Sequence, residues 1–235
     1  EVIMAVIEKA YEQEKQLMLI ASRNQIDCEN HGGGYVGNFT TESYMDFVKK
    51  MDPEGRVKIC RDHSGPYFSI HEKSMSPDEA VESTLFSIKK DIECGFDLIH
   101  IDCSMHKESV MEATKYLMLE SIKYAKSLER EIAFEVGSEE NMGLGASDIK
   151  KFEKELAAIV DIHRPEFIVG QTGSLTKEIF QVGGFDIEGT RKLSDIAHNY
   201  GVKFKEHNAD YNSVWDLRLR NMAGVDAINV APEFG

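Results

Sequence analysis

Three residues with metal-ligating side chains stand at or just beyond the ends of separate apolar segments: His63, Glu135 and His207. Two imidazoles and one carboxylate form a ligand set that suits a divalent ion with open positions for substrate oxygens. We therefore predict a divalent metal centre, with Zn²⁺ as the expected ion. For each residue taken alone, the alternative is an ordinary loop histidine or an ion-paired carboxylate.

Two aspartates lie close to this set in the sequence. Asp62 precedes His63, and Asp102 lies near the end of the apolar segment LIHIDC. A carboxylate beside a metal-bound hydroxyl or carbonyl can transfer a proton, so we predict both as catalytic residues, with Asp102 as a further candidate ligand. Side chains alternate along a strand, so Asp62 and His63 reach the same site only if the backbone turns there. The alternative for Asp62 is a turn-forming aspartate before Ser64-Gly65.

Polar residues at the ends of the apolar segments are predicted to bind a substrate: Arg23, Asn24, Ser104, Gln171 and Asn229. Arg23, Arg61 and Lys205 are the basic residues nearest these ends, where they either hold a phosphate or carboxylate or offset the surrounding acids. The glycines between residues 32 and 37 are consistent with an anion cradle, a lid or a tight turn. The sequence leaves these alternatives open.

The elements that must position these residues alternate along the chain. Short, nearly continuous apolar runs predict strands buried on both faces of a parallel sheet, at Leu17–Ala21, Val57–Cys60, Leu98–Cys103, Ile132–Val136, Phe167–Gly170, Val202–Glu206 and Ala227–Val230. The chain opens on a helix, and amphipathic segments predict further helices at Thr41–Met51, Ser76–Gly95, Glu108–Glu129, Ala146–Ile162, Ile187–Tyr200 and Asn212–Ala223. Gly95, Gly201 and Gly224 stand where helices should stop.

Repeated strand–helix units are typical of either a (β/α)₈ TIM barrel or an open doubly wound sheet. No GxGxxG follows the first strand, and almost every predicted strand ends in polar residues, so we predict an α/β protein of the TIM-barrel class. Residues 1–235 are expected to form a single domain. Seven strands are counted, so the first of eight is expected to precede Glu1.

Composition narrows the function further. The 27 Lys and Arg residues against 41 Asp and Glu residues give a formal net charge of −14, which argues against nucleic acid or an anionic membrane as the main partner. The absence of a long apolar run and of a basic N-terminal region argues against a membrane span or a signal peptide. The four cysteines lack CxxC spacing, which predicts reduced thiols in a cytoplasmic protein.

Four motifs resemble, in order and spacing, those of the GatZ/KbaZ-type family of tagatose-1,6-bisphosphate aldolase subunits. They are Ile20–Gly37, Arg61–Pro66 (RDHSGP), Ile99–Met105 (IHIDCSM) and His207–Tyr211 (HNADY). More distantly, the chain is similar to class II, metal-dependent fructose-bisphosphate aldolases, which are (β/α)₈ barrels. That similarity implies Asp62 as the catalytic aspartate and His63 and His207 as metal ligands. It also implies Glu135 as a second metal position and Asn229 as the asparagine of the last strand.

The sequence departs from the aldolases at two points. They carry a further metal-binding His after the sixth strand. At that place this chain has Gln171–Ser174 (QTGS), which contains no His. Their glycine-serine phosphate loop is replaced by Asn208-Ala209-Asp210, where an aspartate is expected to repel a phosphate.

These observations predict a metal-dependent carbohydrate lyase of class II aldolase type, tagatose-bisphosphate aldolase-like, which acts on a ketose or ketose phosphate by retro-aldol chemistry. One alternative is a non-catalytic subunit that stabilises a class II aldolase partner. Another is a metal-dependent sugar or uronate epimerase on the same barrel, and a sugar-binding protein without turnover ranks last. An oligomer is expected in each case.

Overall fold

The computed structural model describes residues 1–106, 108–137, 145–231 and 233–234. Its helices are α1 (Val2–Gln13), α2 (Thr41–Met51), α3 (Pro77–Cys94), α4 (Val110–Ser127), α5 (Ile149–Val160), α6 (Ile187–Asn199) and α7 (Val214–Met222). Its strands are β1 (Leu17–Ser22), β2 (Val57–Ser64), β3 (Leu98–Asp102), β4 (Ala133–Gly137), β5 (Phe167–Val169), β6 (Thr176–Lys177), β7 (Phe180–Gln181), β8 (Lys203–Glu206) and β9 (Ala227–Ile228).

Seven of the strands form one sheet in the order β1-β2-β3-β4-β5-β8-β9, and β6 and β7 form a separate antiparallel hairpin. Every recorded pairing in the larger sheet is parallel, and each of its strands follows a helix in the chain. This repeat confirms the predicted (β/α)₈-type fold class. The short hairpin was not predicted, because two-residue strands leave no periodic signal in the sequence.

The chain divides into two compact units, Glu1–Phe134 and Glu135–Gly235. The first unit contains α1–α4 and β1–β3, and the second contains α5–α7 and β5–β9. The single domain expected over residues 1–235 therefore stays a prediction. Among the described residues, no helix is long and apolar enough to cross a membrane.

Helix boundaries follow the local signals in the sequence. The side chains of Thr40 and Ser76 accept hydrogen bonds from the third backbone N–H of α2 and α3, and each forms a reciprocal capping box. Gly95, Gly201 and Gly224 follow α3, α6 and α7 with positive φ, the conformation that ends a helix most readily at glycine. The predicted helix stops are thus present.

Strand β2 continues four residues beyond the predicted end at Cys60 and includes Arg61–Ser64. The pairing with β3 shifts along this extension, since Arg61 pairs with Ile99 whereas Ser64 pairs with Ile101. Three residue steps on β2 therefore face two on β3, which is the signature of a β-bulge. Apolar periodicity does not detect this extension because the added residues are polar.

Candidate functional site

The bulge in β2 changes the direction of the side chains at Asp62 and His63. His63 has φ 44°, a left-handed conformation that is uncommon outside glycine and often marks a functional position. His63 Nε2 consequently lies 3.7 Å from Asp62 Oδ2, although the two residues are neighbours on one strand. Asp62 and His63 can share a site only if the backbone turns between them. The extra residue of the bulge in β2 provides that turn.

Asp102 orients the imidazole of His63. Asp102 Oδ2 lies 2.7 Å from His63 Nδ1, and Asp102 Oδ1 accepts a hydrogen bond of 3.0 Å from the backbone N–H of Ser104. Burial acts to raise the pKa of Asp102, but the hydrogen bond with His63 and the nearby imidazoles lower it below its usual value. A carboxylate on Nδ1 directs Nε2 toward a metal or a substrate, as in other carboxylate–histidine–metal arrangements.

His100 joins this cluster from the middle of β3. Its Nδ1 lies 3.1 Å from Asp62 Oδ1, and its ring centroid lies 5.3 Å from that of His63. Asp62, His63 and His100 each offer one ligand atom within 4.8 Å of the others. Sequence reasoning placed His100 in the core as a hydrogen-bonded residue, which its 2% exposure supports, but missed its place beside Asp62. The available signal was the two-residue spacing from Asp102, which places both side chains on one face of the strand.

In the second unit, the predicted ligands Glu135 and His207 lie together. Glu135 Oε1 is 2.8 Å from His207 Nε2, and Glu135 Oε2 accepts from the Nζ of Lys205. Glu135 and Lys205 are both buried, so the ammonium group neutralises the carboxylate within the protein. The structure thus gives Glu135 a protein cation as well as an imidazole.

The three basic residues near the strand ends, Arg23, Arg61 and Lys205, are buried. Arg61 donates from Nε and Nη2 to the two oxygens of Asp91, and Arg23 Nη2 lies 2.7 Å from Glu72 Oε1. Both guanidinium groups are fully buried in these pairs, as Lys205 is in its own. The contacts favour the second of the two interpretations, in which these cations offset acids inside the protein.

The other predicted substrate-binding residues differ in their hydrogen bonds. Asn24 Oδ1 accepts from the N–H of Ile70, and the N–H of Gln171 donates to Ser147 Oγ. Asn229 is buried, and within the described part of the chain its Nδ2 has no hydrogen-bond acceptor, which leaves a donor for a ligand. The role of each in substrate binding stays a prediction.

The structure bears on two sequence interpretations that concern anion binding. The N–H groups of residues 32–36 all donate to backbone carbonyls, so the glycine-rich segment is a tight turn rather than an anion cradle. Asp210 is buried, and its Oδ1 accepts from the N–H groups of Ala231 and Glu233. The carboxylate of Asp210 therefore holds the adjoining backbone, and its repulsion of a phosphate stays a prediction.

A second ionisable cluster lies in the turn after β1. Asp27 Oδ2 lies 3.3 Å from His31 Nδ1, and Asp27 Oδ1 accepts from Ser87 Oγ. The hydrogen bond with Asp27, followed by one with Cys28, raises the pKa of His31 to about 10. Burial acts to raise the pKa of Asp27, but His31, the Arg23 charge and Ser87 hold it well below its usual range.

This pair predicts a pH-dependent contribution to stability. Because the pKa of His31 rises from 6.5 to about 10 on folding, its contribution is complete below pH 6.5 and is lost as the pH rises toward 10. We expect His31→Gln to lower the free energy of unfolding by about 2 kcal/mol near pH 6, with a smaller difference near pH 10. Urea unfolding of both proteins across this range measures the difference. A difference that grows with pH would contradict the assignment.

Comparisons with known proteins show which family and which solved folds this chain is similar to. A family model described as D-tagatose-1,6-bisphosphate aldolase subunit GatZ/KbaZ-like matches residues 1–127. The D-tagatose-1,6-bisphosphate aldolase subunit GatZ of Escherichia coli O139:H28 is 26% identical, over 86% of this chain and 55% of that relative. The GatZ subunit of Shigella boydii serotype 18 matches with the same identity and coverage. The chain spans about half the length of the curated relatives it matches.

Solved structures show the same fold. A probable tagatose 6 phosphate kinase from Sinorhizobium meliloti 1021 superposes with a TM-score of 0.80 at 21% identity, over 99% of this chain and 62% of that one. The YdjI aldolase from Escherichia coli K12 superposes with a TM-score of 0.64 at 18% identity, over 97% of this chain and 71% of that one. At these identities the likeness concerns the fold alone.

Proposed function

Because this chain belongs to the D-tagatose-1,6-bisphosphate aldolase subunit GatZ/KbaZ-like family, we propose that it acts in metal-dependent, class II aldolase-type carbohydrate chemistry. The proposed reaction is retro-aldol cleavage of a ketose or ketose phosphate, tagatose-bisphosphate aldolase-like. The observation that carries the proposal is the Asp62–His63–His100 cluster, with Asp102 behind His63. An epimerase would share the same first step and differ in rejoining the two fragments.

The donor atoms in the first unit fit a divalent ion. Two imidazoles, whose nitrogens suit Zn²⁺, converge within 4.8 Å of each other and of the Asp62 carboxylate, which we keep as the base. We assign His63 and His100 as ligands from this unit. The assignment of Glu135 and His207 as ligands rests on their positions at strand ends and on the similarity to the aldolases, and it stays a prediction.

Each residue of the cluster then has a distinct task. A bound divalent ion would supply Lewis-acid polarisation of the ketose carbonyl. Asp102 holds the His63 ring through Nδ1, so that its orientation does not change during the reaction. Asp62 would accept the proton of the hydroxyl whose neighbouring carbon–carbon bond breaks, and would return a proton to the other fragment.

Metal content tests this proposal directly. We expect purified wild-type protein to bind about one divalent ion per chain, and His63→Ala to weaken metal affinity by at least about 10-fold, since it removes a ligand. Elemental analysis after dialysis against a graded series of chelator concentrations measures the change. His71→Ala, at a neighbouring exposed histidine, is the matched control and is expected to retain the ion.

The names of the relatives favour a second candidate function. They describe aldolase subunits, so this chain is alternatively a non-catalytic subunit that stabilises a class II aldolase partner. Under this alternative the cluster is structural. Wild-type protein that binds no metal after reconstitution would contradict the first proposal and favour the subunit role.

A further inference from the structure

The first unit contains a cavity of about 310 Å³ outside the candidate cluster. Its lining residues are Tyr67, Pro77, Met105, His106 and Glu108. They belong to the segment after β2, the first residue of α3 and the segment after β3. The volume is at the small end of the range for ligand pockets, and is suited to part of a small molecule rather than to a macromolecule.

The lining combines apolar surface with separate polar groups. Tyr67, Pro77 and Met105 provide aromatic and aliphatic surface against which the C–H faces of a sugar can pack. His106 Nδ1 accepts from the N–H of Ser109 at 3.4 Å, which leaves the proton on Nε2 as a donor. Glu108 adds a carboxylate, which accepts hydrogen bonds from hydroxyl groups and repels a phosphate.

One wall of this cavity is held by a buried ion pair and its hydrogen bonds. Tyr67 has φ 68°, and its N–H donates to Glu72 Oε2 at 2.8 Å. Glu72 Oε1 in turn pairs with Arg23, which also donates to Thr84 Oγ1 and to the carbonyl of Gly65. This network maintains a strained backbone at Tyr67, and so the cavity wall is organised before any ligand binds.

The cavity shares its two supporting segments with the candidate cluster. The His63 ring stacks on Phe68 with centroids 5.0 Å apart, and Phe68 is adjacent to Tyr67 in the chain. Met105 follows Asp102 by three residues. A Cβ at Gly65 would lie 1.5 Å from the carbonyl oxygen of Asp102, so only glycine permits the close contact between the two segments. The cavity is therefore adjacent, along both segments, to the residues proposed to act on the ketose.

We propose that this cavity is the subsite for the C6 end of the ketose and that it accepts a hydroxyl there in preference to a phosphate. The proposal rests on the proposed function, since the cluster must hold the reacting carbons. Apolar surface contacts the carbon chain, and Glu108 and His106 bind hydroxyl groups. In this arrangement Arg23 pairs with Glu72, which holds the Tyr67 backbone.

Calorimetric titration of the full chain, reconstituted with Zn²⁺, tests the subsite with D-tagatose and D-tagatose 6-phosphate as probes. The two probes differ only in the phosphate at C6. We expect tighter binding of D-tagatose to the wild type. Met105→Trp, which fills the cavity from an exposed position, is expected to weaken D-tagatose binding by about 10-fold. Glu108→Lys is expected to shift the preference toward the 6-phosphate by about 10-fold.

Matched controls separate these effects from general ones. Met222→Trp introduces the same side chain at an exposed position on α7, and Glu112→Lys makes the same charge change one turn along in α4. Both are expected to bind like the wild type. Binding of neither probe to the wild type, tighter wild-type binding of the 6-phosphate, or unchanged binding in Met105→Trp would overturn the subsite.

The metal content of the same samples distinguishes failure of the subsite from failure of the proposed function. Samples that hold Zn²⁺ but show no effect of Met105→Trp contradict the subsite alone. Samples that bind D-tagatose through the cavity without retaining metal support the subsite and contradict metal-dependent catalysis.

Discussion

Replacement of Asp62 by asparagine is expected to lower ketose turnover by about 10²–10⁴-fold, because the amide cannot accept the substrate proton. Since the carboxylate acts in the transition state, kcat and kcat/KM should fall together. Asp62 Oδ1 lies 3.1 Å from His100 Nδ1, and asparagine retains an oxygen for this contact. The variant should therefore fold normally. Steady-state kinetics with ketoses and ketose phosphates measures the loss.

Two further measurements make this experiment specific. Metal content should be unchanged in Asp62→Asn, because His63 and His100 remain as ligands. Loss of the ion in this variant would assign Asp62 as a ligand and contradict its role as the base. Asp46→Asn, at an exposed position on α2, makes the same chemical change away from the cluster and should retain full activity.

The second large effect is expected in the core of the first unit, where Asp91→Ala should lower the free energy of unfolding by about 3–5 kcal/mol. Asp91 accepts from Arg61 Nε at 2.8 Å and from Nη2 at 2.6 Å, and both side chains are fully buried. Removal of the carboxylate leaves a guanidinium charge in the interior without its counterion. Urea unfolding followed by circular dichroism measures the loss, which is a large fraction of a typical domain stability of about 5–15 kcal/mol.

The origin of this loss can be separated from general damage to the core. The double variant Arg61→Met with Asp91→Leu removes both charges and is expected to recover most of the stability, since apolar side chains can replace a buried ion pair. Glu12→Ala breaks the exposed Lys9–Glu12 pair and should cost about 0–1 kcal/mol. Equal losses in the single and double variants would show that packing, rather than the unpaired charge, sets the cost.

Much of the fold could be predicted from the sequence because its signals are local. Each strand of the larger sheet was located by a short apolar run, and the helices by amphipathic periodicity between those runs. Gly95, Gly201 and Gly224 marked helix ends because a residue without a Cβ adopts a positive φ with little steric strain. The motif around Asp62 and His63 indicated the family, which the match over residues 1–127 confirms.

The partners of the charged residues were decided only by the tertiary structure. The sequence left open whether Arg23 and Arg61 reach a ligand or neutralise acids, because Glu72, one partner of Arg23, and Asp91, the partner of Arg61, are 49 and 30 residues away. Similarly, the bulge that places His63 beside Asp62, and the position of His100, depend on the register between β2 and β3. Periodicity shows which faces are buried, whereas ion pairs and ligand sets depend on which distant atoms meet. The sequence by itself therefore determined the order of the elements and the family, and the packing of those elements determined which polar groups remain available for chemistry.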